Sequence, residues 1–357
     1  MDLVQVLKSA VDQGCSDVHI VVGKPPMMRK NGEIRPVDPS LPVLNSEETK
    51  ALIYSVLYED QQARFEENLE LDCSHDIPGV SRLRINVLMT RNGVESAMRL
   101  IGSKIPPAEA LGITPAMLDL AALPRGMVLV TGPTGSGKST TLACLIERAN
   151  QIRSEHILTI EDPIEFVYEP KKSIIRQREV GQNTKSFLNA LRSALREDPD
   201  VILVGEMRDY ETIGLAVTAA ETGHLCFGTL HTQDAPSTVA RIIDVFPAHQ
   251  QAQIRVQVAN SLRAVVAQIL LPRKDGKGRV AVRELMIVTP AIANQIREGK
   301  PHLIYSAIET GAQFGMFTMD RSLAEVIRSG LVDPEVALSK AHSVEQVRTL
   351  AGLRAAY

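Results

Sequence analysis

The sequence predicts an α/β protein of two domains, and three observations support that prediction. Residues 126–131 form a short apolar run of the kind that is buried in a parallel sheet. A glycine-rich stretch follows it, and residues 140–146 continue in a helical pattern. Paired prolines, Pro106 and Pro107, separate this half of the chain from an N-terminal half in which strand patterns dominate. We therefore expect a strand-rich first domain and a second domain in which strands and helices alternate.

Local patterns assign the first elements of the N-terminal half. Leucine spacing predicts an opening helix over residues 3–11, and an apolar run predicts a strand over residues 18–22. Asn31-Gly32 predicts a hairpin turn. Asn45 and Glu48 have the spacing of a capping box, which predicts the start of the next helix. The predicted domain limits are 1–102 for the first domain, 103–114 for a linker and 115–357 for the second domain, with C-terminal helices from about residue 275.

The glycine-rich stretch satisfies the pattern G-x-x-x-x-G-K-[ST] in full. It lies between an apolar strand and a helix, which is the setting in which this pattern cradles phosphates with backbone N–H groups. The lysine reaches the β- and γ-phosphates, and the serine that follows it is a ligand for Mg²⁺. The sequence therefore predicts a nucleoside triphosphate site made by Gly132, Pro133, Thr134, Gly135, Ser136, Gly137, Lys138, Ser139 and Thr140.

Acidic residues end two other apolar strands. Residues 157–160 run into Glu161, Asp162 and Glu165, and residues 201–204 run into Glu206. Acids at the carboxyl ends of parallel strands face the crevice in which open α/β sheets bind ligands. For Glu161 and Glu165, exposed turn acids without a catalytic role remain the alternative.

Two histidines, His224 and His231, lie at either end of the next apolar strand. One of them is expected to approach the γ-phosphate while the other packs or pairs elsewhere. A structural role for both stays open. No third ligand lies at a spacing suited to a metal site.

An alternating segment, residues 81–87, and a second strand over 94–100 flank a turn signal at residues 91–93. If they form a hairpin, parity puts Arg84 and Arg99 on one face, directly opposite or one step diagonal. Like charges so placed repel unless an anion lies between them. The alternative is a solvated basic face.

Composition limits the functional class of the chain. Its 357 residues are 44% hydrophobic and 23% charged, with a net charge of −3 and no tryptophan. This composition is ordinary for a globular protein and argues against a nucleic-acid track, which needs a basic stripe. The four cysteines form no C-x-x-C pair, which favours reduced thiols and no zinc module. No apolar run reaches the length of a membrane span and no signal peptide is expected.

In their order along the chain, these elements resemble the Walker A, Asp box, Walker B and His box of the secretion ATPases of type II secretion and type IV pilus systems. The segments that carry the resemblance are residues 132–139, 161–165, 198–206 and 222–232. Within that superfamily the chain is most similar to the type IV pilus retraction ATPases, and the resemblance extends from residue 16 to residue 320. The retraction-associated box at residues 291–298 departs from the family pattern at Ala293 and Gln295.

The resemblance implies an N-terminal PAS-like α/β domain and a C-terminal RecA-like ATPase domain with a helical C-terminal portion. It implies ATP and Mg²⁺ as cofactors, with Ser139 and Glu206 organising the metal. Glu165 is expected to activate water, although Glu165 and Glu206 can exchange these duties. Arg84 and Arg99 take the place of arginine fingers that act on the nucleotide of an adjacent subunit. Glu161, Asp162 and His224 are assigned to the nucleotide site, and Lys138 and His231 to catalysis.

The resemblance also implies a homohexamer that turns an inner-membrane pilus platform protein, with paralogous pilus ATPases as further partners. The expected location is the cytoplasm, at the inner face of the cytoplasmic membrane. Three alternatives stay open: an accessory retraction ATPase, an assembly ATPase and a nucleotide-gated regulator without turnover. Assembly ATPases commonly have a longer N-terminal region and a tetracysteine zinc insertion, and this chain is expected to have neither. The regulator is disfavoured by the intact Lys138, Glu165, Glu206 and arginine pair.

Overall fold

A computed structural model describes residues 1–30, 32–78, 80–101 and 105–353 of the chain. The chain divides into two compact units. The first unit comprises Met1–Lys104 and Pro163–Val167, and the second comprises Ile105–Asp162 and Tyr168–Tyr357. Asn31 of the predicted hairpin turn and residues 102–104 at the predicted domain boundary lie outside the described residues.

The first unit is built on an antiparallel sheet. Its strands are β1 (Asp17–Ile20), β2 (Met27–Lys30), β3 (Glu33–Pro36), β4 (Glu70–Ile77), β5 (Ser81–Thr90) and β6 (Gly93–Ile101). In the described residues they are ordered β3-β2-β1-β6-β5-β4. Along β5 the side chains alternate, with Leu83, Ile85 and Val87 buried on one face and Arg84 exposed on the other. This alternation is the predicted period of two, and it leaves one face of the sheet polar.

Three helices cover the apolar face of that sheet: α1 (Leu3–Asp12), α2 (Ser46–Tyr54) and α3 (Glu59–Asn68). Leu3 and Leu7 of α1 are fully buried, as the predicted opening helix requires. The capping box at Asn45 and Glu48 is confirmed, because the Asn45 side chain accepts from the Glu48 N–H and Glu48 accepts from the Asn45 N–H. The predicted mixed α/β character of this unit is therefore confirmed.

The second unit contains a mostly parallel sheet. Its strands are β7 (Gly126–Thr131), β8 (His156–Glu161), β9 (Ile174–Glu179), β10 (Val201–Val204), β11 (Leu225–Leu230), β12 (Leu262–Pro272) and β13 (Arg279–Ile287). Among the described residues their order is β13-β12-β7-β11-β10-β8-β9, and only the β12–β13 pair is antiparallel. Strands β7, β10 and β11 are buried along their whole length, which explains their continuous apolar sequences. We call the edge at which β7, β8, β10 and β11 end the carboxyl edge.

Helices pack around this sheet and complete the second unit. The α-helices are α4 (Pro115–Leu118), α5 (Lys138–Ile152), α6 (Phe187–Ala194), α7 (Tyr210–Glu221), α8 (Ala235–Asp244), α9 (Ala248–Ser261), α10 (Pro290–Arg297), α11 (Ile304–Glu309), α12 (Met319–Arg328), α13 (Pro334–Leu338) and α14 (Val344–Ala351). Short 3₁₀ turns lie at Glu109–Leu111, Asp119–Ala122, Pro301–Leu303 and Ala312–Phe314.

The helical C-terminal portion begins later than residue 275. Residue 275 lies in the turn between β12 and β13, where Asp275 accepts hydrogen bonds from the Arg273 side chain and the Lys277 N–H. The apolar sequence of β13 then pairs with β12 from Arg279 to Ile287, so helices start only at Pro290. The reason is that an antiparallel strand extends the central sheet before the chain leaves it.

Two further sequence expectations concern membranes and thiols. Within residues 1–30, 32–78, 80–101 and 105–353, no helix is both long and apolar enough to cross a bilayer. Cys15, Cys73, Cys144 and Cys226 are free thiols. Burial raises the pKa of Cys226 to about 12, so this thiol stays protonated at neutral pH.

Candidate active site

The glycine-rich loop, residues 132–137, joins the end of β7 to the start of α5. Gly132, Gly135 and Gly137 have φ angles of +142°, +77° and +86°, a backbone region that other residues rarely adopt. A Cβ atom at Gly132 would lie 2.1 Å from the Gln268 carbonyl oxygen. The loop therefore needs glycine both for its backbone conformation and for its close approach to β12.

The polar groups of the loop fit a phosphate. Lys138 Nζ donates to the carbonyl oxygens of Gly132 (2.9 Å) and Pro133 (3.3 Å), so the ammonium folds back over the loop. Ser136 Oγ is buried and has no hydrogen-bond partner among the described residues. Ser139 and Thr140 lie half-buried in the first turn of α5, whose N-terminus favours an anion.

A cavity of about 560 Å³ opens beside this loop, within the second unit. Loop residues 133–136 form one wall, and the end of β12 with residues 339–341 forms another. Arg279 and Lys340 line it as well. The size is that of a small-molecule site, and the basic side chains suit an anionic ligand.

Glu161 and Asp162 lie where β8 ends, at the carboxyl edge. Glu161 is buried and accepts hydrogen bonds from Thr159 Oγ1 at 2.6 Å and from Gln177 Nε2 at 3.3 Å. Asp162 is exposed. The two acids that the sequence assigns to the nucleotide site therefore reach the same edge of the sheet as the glycine-rich loop.

Glu206 and His231 follow the ends of β10 and β11, and the structure brings them together. His231 Nε2 lies 2.7 Å from Glu206 Oε1, and Arg208 Nη2 lies 2.7 Å from Glu206 Oε2. The hydrogen bond from Arg208 has the largest effect on the pKa of Glu206 and lowers it. Burial raises this pKa and the hydrogen bond from His231 lowers it, so that the pKa lies below its ordinary value. The carboxylate is thus ionised at neutral pH, and the His231 nitrogen that faces it carries a proton.

Arg208 is a member of this cluster that the sequence analysis missed. It lies two residues beyond Glu206 and is mostly exposed. The available signal was a basic residue two positions after a strand-end acid in Gly205-Glu206-Met207-Arg208, but charged residues so spaced are usually on a solvated surface.

His224 lies at the other end of β11. Its Nδ1 is 2.9 Å from the Ala219 carbonyl oxygen, near the C-terminus of α7. The structure does not bring His224 to the carboxyl edge within the second unit, whereas His231 is there. The assignment of His224 to the nucleotide site is therefore not supported within the second unit, because the residue precedes β11 and the glycine-rich loop follows the opposite end of the neighbouring parallel strand β7.

Glu165 lies in a segment, Pro163–Val167, that groups with the first unit. Ile164 of this segment is buried, and its carbonyl oxygen accepts from Arg82 Nε at 3.3 Å. Arg82 Nη2 also donates to Ser74 Oγ at 2.6 Å. Glu165 itself is exposed. The acid proposed to activate water is thus anchored through its neighbours to the first unit, while Glu206 belongs to the second.

Arg84 and Arg99 are directly opposite each other on β5 and β6. In the same row across the sheet, Asp17 of β1 is opposite Arg99, and Arg99 Nε donates to Asp17 Oδ1 at 2.9 Å. Burial alone would raise the pKa of Asp17, but hydrogen bonds from Ser16 and Arg99 hold it below its ordinary value. Arg84 is exposed and has no partner among the described residues. Among the described residues, Arg99 is thus paired with an acid and the adjacent Arg84 is not.

The donors available for a metal ion are few in each unit. In the described ranges, no group of three or more His, Cys, Asp and Glu side chains is arranged to hold a metal by itself. Of the two residues that the sequence analysis assigns to a metal, Ser139 lies in the first turn of α5 and Glu206 follows the end of β10.

Comparison with known proteins shows what this chain is similar to. The family described as "Type II/IV secretion system protein" matches residues 2–324. A "Type IV pilus retractation ATPase PilT" of Pseudomonas aeruginosa is 51% identical over 341 residues, which cover 96% of this chain and 98% of that protein. A "Twitching motility protein" of Neisseria gonorrhoeae is 52% identical over 322 residues, or 90% and 86% of the two chains. The crystal structure titled "Crystal Structure of the Pilus Retraction Motor PilT and Bound ADP" superposes with a TM-score of 0.91 at 44% identity, covering 97% of this chain and 98% of that one.

Proposed function

The chain belongs to the type II/IV secretion system protein family, and we propose that it is the ATPase that powers retraction of type IV pili. The observation that carries the proposal is the cluster at the carboxyl edge, where the glycine-rich loop, Glu161 and the Glu206–His231 pair end neighbouring strands. A phosphate-binding loop beside an ionised, hydrogen-bonded carboxylate is the arrangement that nucleotide hydrolysis requires.

We assign each side chain a step in that reaction. Lys138 and the loop N–H groups would hold the phosphates, and Ser139 and Glu206 would hold Mg²⁺. A bound Mg²⁺ neutralises charge on the phosphate oxygens. His231 orients the Glu206 carboxylate and keeps one of its oxygens engaged. Glu165 or Glu206 accepts a proton from the attacking water, with Glu165 preferred.

The arginine pair suggests that the reaction is completed between subunits. Arg84 and Arg99 form a basic pair on the polar face of the first unit, and Arg84 has a free charge among the described residues. We propose that they stabilise phosphoryl charge on a neighbouring subunit, an effect of about 10³ to 10⁵ in rate for arginine fingers. Hydrolysis then depends on assembly, and we propose that the assembly is a homohexamer. In each subunit we propose a first domain near residues 1–102, a linker near 103–114 and a second domain near 115–357.

We propose that the motor acts on a platform protein in the cytoplasmic membrane. Paralogous pilus ATPases are proposed as further partners. The protein would act in the cytoplasm at the pilus base. Closure of each subunit around nucleotide is the kind of motion that turns a central partner.

Pilus counts and twitching motility test this proposal in the source organism. The gene is removed and then restored as wild type, as Lys138→Ala, or as Lys277→Ala, a control lysine in the exposed β12–β13 turn. Excess, immobile pili in the deletion and in Lys138→Ala, with normal motility for Lys277→Ala, are the expected result. Bald cells would assign the protein to assembly, and unchanged cells would leave an accessory or regulatory role.

A further inference from the structure

The buried side chain of Gln268, on β12, forms hydrogen bonds with the glycine-rich loop and with the start of α5. Its Nε2 donates to the Ser136 carbonyl oxygen at 2.6 Å. Its Oε1 accepts from Thr141 Oγ1, in the first turn of α5, at 2.7 Å. Only 1% of Gln268 is exposed, so neither contact competes with bulk water. The loop and the start of its helix are thus fixed to the same amide group.

Arg283 continues this network away from the loop. It is opposite Gln268 on β13, and its Nε donates to Gln268 Oε1 at 3.3 Å. Its Nη1 donates to the carbonyl oxygens of Leu111 (2.7 Å) and Gly112 (3.2 Å). A single guanidinium therefore connects residues 111–112 with the amide that holds the loop.

The chemistry of Arg283 argues against a role in stability alone. The side chain is buried, and among the described residues it forms no ion pair with a carboxylate. Burial lowers its pKa to about 10, which still leaves it charged at neutral pH. Desolvation of a buried charge that has no carboxylate partner costs stability, and the hydrogen bonds to buried oxygen atoms must offset that cost. The guanidinium group supplies several N–H donors in a fixed planar arrangement, so that it can bind two segments of the chain at once.

We propose that Gln268 and Arg283 form a positioning relay that sets the conformation of the glycine-rich loop and makes nucleotide affinity depend on residues 111–112. Those residues follow the stretch through which the chain passes from the first unit to the second. A shift of their carbonyl groups would reach Ser136 through two side chains. The inference rests on the proposed nucleotide site but not on the proposed role in pilus retraction.

The relay is tested by nucleotide affinity, measured with a fluorescent ATP analogue on the full chain. Gln268→Leu removes the donor and the acceptor while nearly keeping the volume, and Arg283→Met removes the fork. Val282→Ala is the matched control, because Val282 is a buried neighbour on β13 that belongs to the C-terminal hydrophobic cluster. The nucleotide affinity of Val282→Ala shows how much a loss of stability alone changes binding.

We expect Gln268→Leu and Arg283→Met each to raise the Kd about tenfold, with Val282→Ala close to wild type at a similar loss of thermal stability. The Kd of the double variant should be no higher than the Kd of whichever single variant binds nucleotide more weakly, because the two substitutions interrupt the same connection. Gln268→Glu separates the two functions of the amide. It keeps the acceptor oxygen for Thr141 and Arg283 but removes the N–H donor to Ser136, and it should also weaken nucleotide binding. A Kd that is unchanged in Gln268→Leu, or that follows stability across all variants, would overturn the relay.

Gly112→Ala tests the connection to residues 111–112. Gly112 has φ +64°, so alanine strains the turn and moves the carbonyl group that Arg283 contacts. The substitution should weaken binding about threefold in the wild-type background and have no effect in Arg283→Met. Equal effects in both backgrounds would refute the connection. Lys138→Ala in the same assay separates the two claims, since normal binding by that variant would reject the nucleotide site itself.

Discussion

His231 Nε2 lies 2.7 Å from Glu206 Oε1, although 25 residues separate the two in sequence. The pairing arises because β10 and β11 are adjacent parallel strands that end at the same edge. Because Arg208 donates to its second oxygen, the Glu206 carboxylate accepts from two donors and keeps lone pairs for water or a metal ion. The ionisation of Glu206 is therefore set by groups on two loops.

Arg208→Ala should move the acidic limb of the pH profile of ATP hydrolysis to higher pH. The hydrogen bond from Arg208 is the largest influence that lowers the pKa of Glu206, so its removal raises that pKa. Activity that needs ionised Glu206 is then lost at a higher pH as the solution is acidified. The measurement is kcat/KM from pH 3.5 to 8, a range that includes the ordinary pKa of a glutamate, with the exposed Arg176→Ala as control. An unmoved acidic limb would show that Glu206 does not govern the profile.

Arg84→Ala should lower turnover at least 100-fold without changing nucleotide affinity or thermal stability, because Arg84 is exposed and unpaired among the described residues. Arg99→Ala should lower turnover as well, but with a small loss of stability, since it leaves Asp17 without its ion pair. Steady-state ATPase rates, nucleotide titration and thermal unfolding measure the three quantities. Wild-type turnover in both variants would exclude these arginines from the reaction.

Glu165→Gln and Glu206→Gln should separate the water-activating residue from the metal-organising residue. Loss of the base lowers kcat by about 10² to 10⁴ and leaves nucleotide binding intact. Loss of a metal ligand also raises the Mg²⁺ concentration needed for half-maximal activity. We expect the first behaviour from Glu165→Gln and the second from Glu206→Gln, with the exposed Glu169→Gln as control. The reverse pattern would exchange their roles.

Glu284→Gln should flatten the dependence of stability on pH. Glu284 is buried beside Asp234 and Asp320, and it accepts from the N–H groups of Ala235 and Met319. Burial raises its pKa from 4.5 to about 7, so between these values the folded chain binds more protons than the unfolded chain. Stability should accordingly fall as the pH rises across this window, by up to about 3 kcal/mol.

Urea unfolding of the wild type and the Glu284→Gln variant at pH 5, 6, 7 and 8 measures this slope. The exposed Glu325→Gln, on α12, is the matched control and should keep the wild-type slope. Because glutamine has only one acceptor oxygen for the two N–H groups, the variant should carry a loss that does not depend on pH. A wild-type slope in Glu284→Gln would contradict the assignment.

The strand-end acids and the glycine-rich loop were predictable because their positions depend on local sequence. An apolar run ends at a definite residue, and in a parallel sheet neighbouring runs end at one edge. The parity of Arg84 and Arg99 followed in the same way from the period of two along each strand. The structure adds the register, which puts the two side chains directly opposite.

Pairings that depend on register between distant segments were not predictable. Gln268 and Arg283 meet only because β12 and β13 pair with one particular offset across their turn. The contact of Arg283 with Leu111 joins residues 172 positions apart. Likewise, the chain at Pro163–Val167 looks like a loop of the second unit from its place in sequence, but it groups with the first. Neither residue type nor spacing carries that information.

The grouping of Pro163–Val167 with the first unit changes how the two units are connected covalently. The backbone passes from one unit to the other at residues 104–105, 162–163 and 167–168. A protease that cuts the chain between residues 101 and 105 would give two polypeptides, and the longer one would keep residues 163–167, which group with the first unit. A fragment beginning at residue 105 would contain the 163–167 segment without the surface that buries Ile164. Because the first unit takes residues from both sides of the segment 105–162, it cannot be produced as one uninterrupted fragment of the chain.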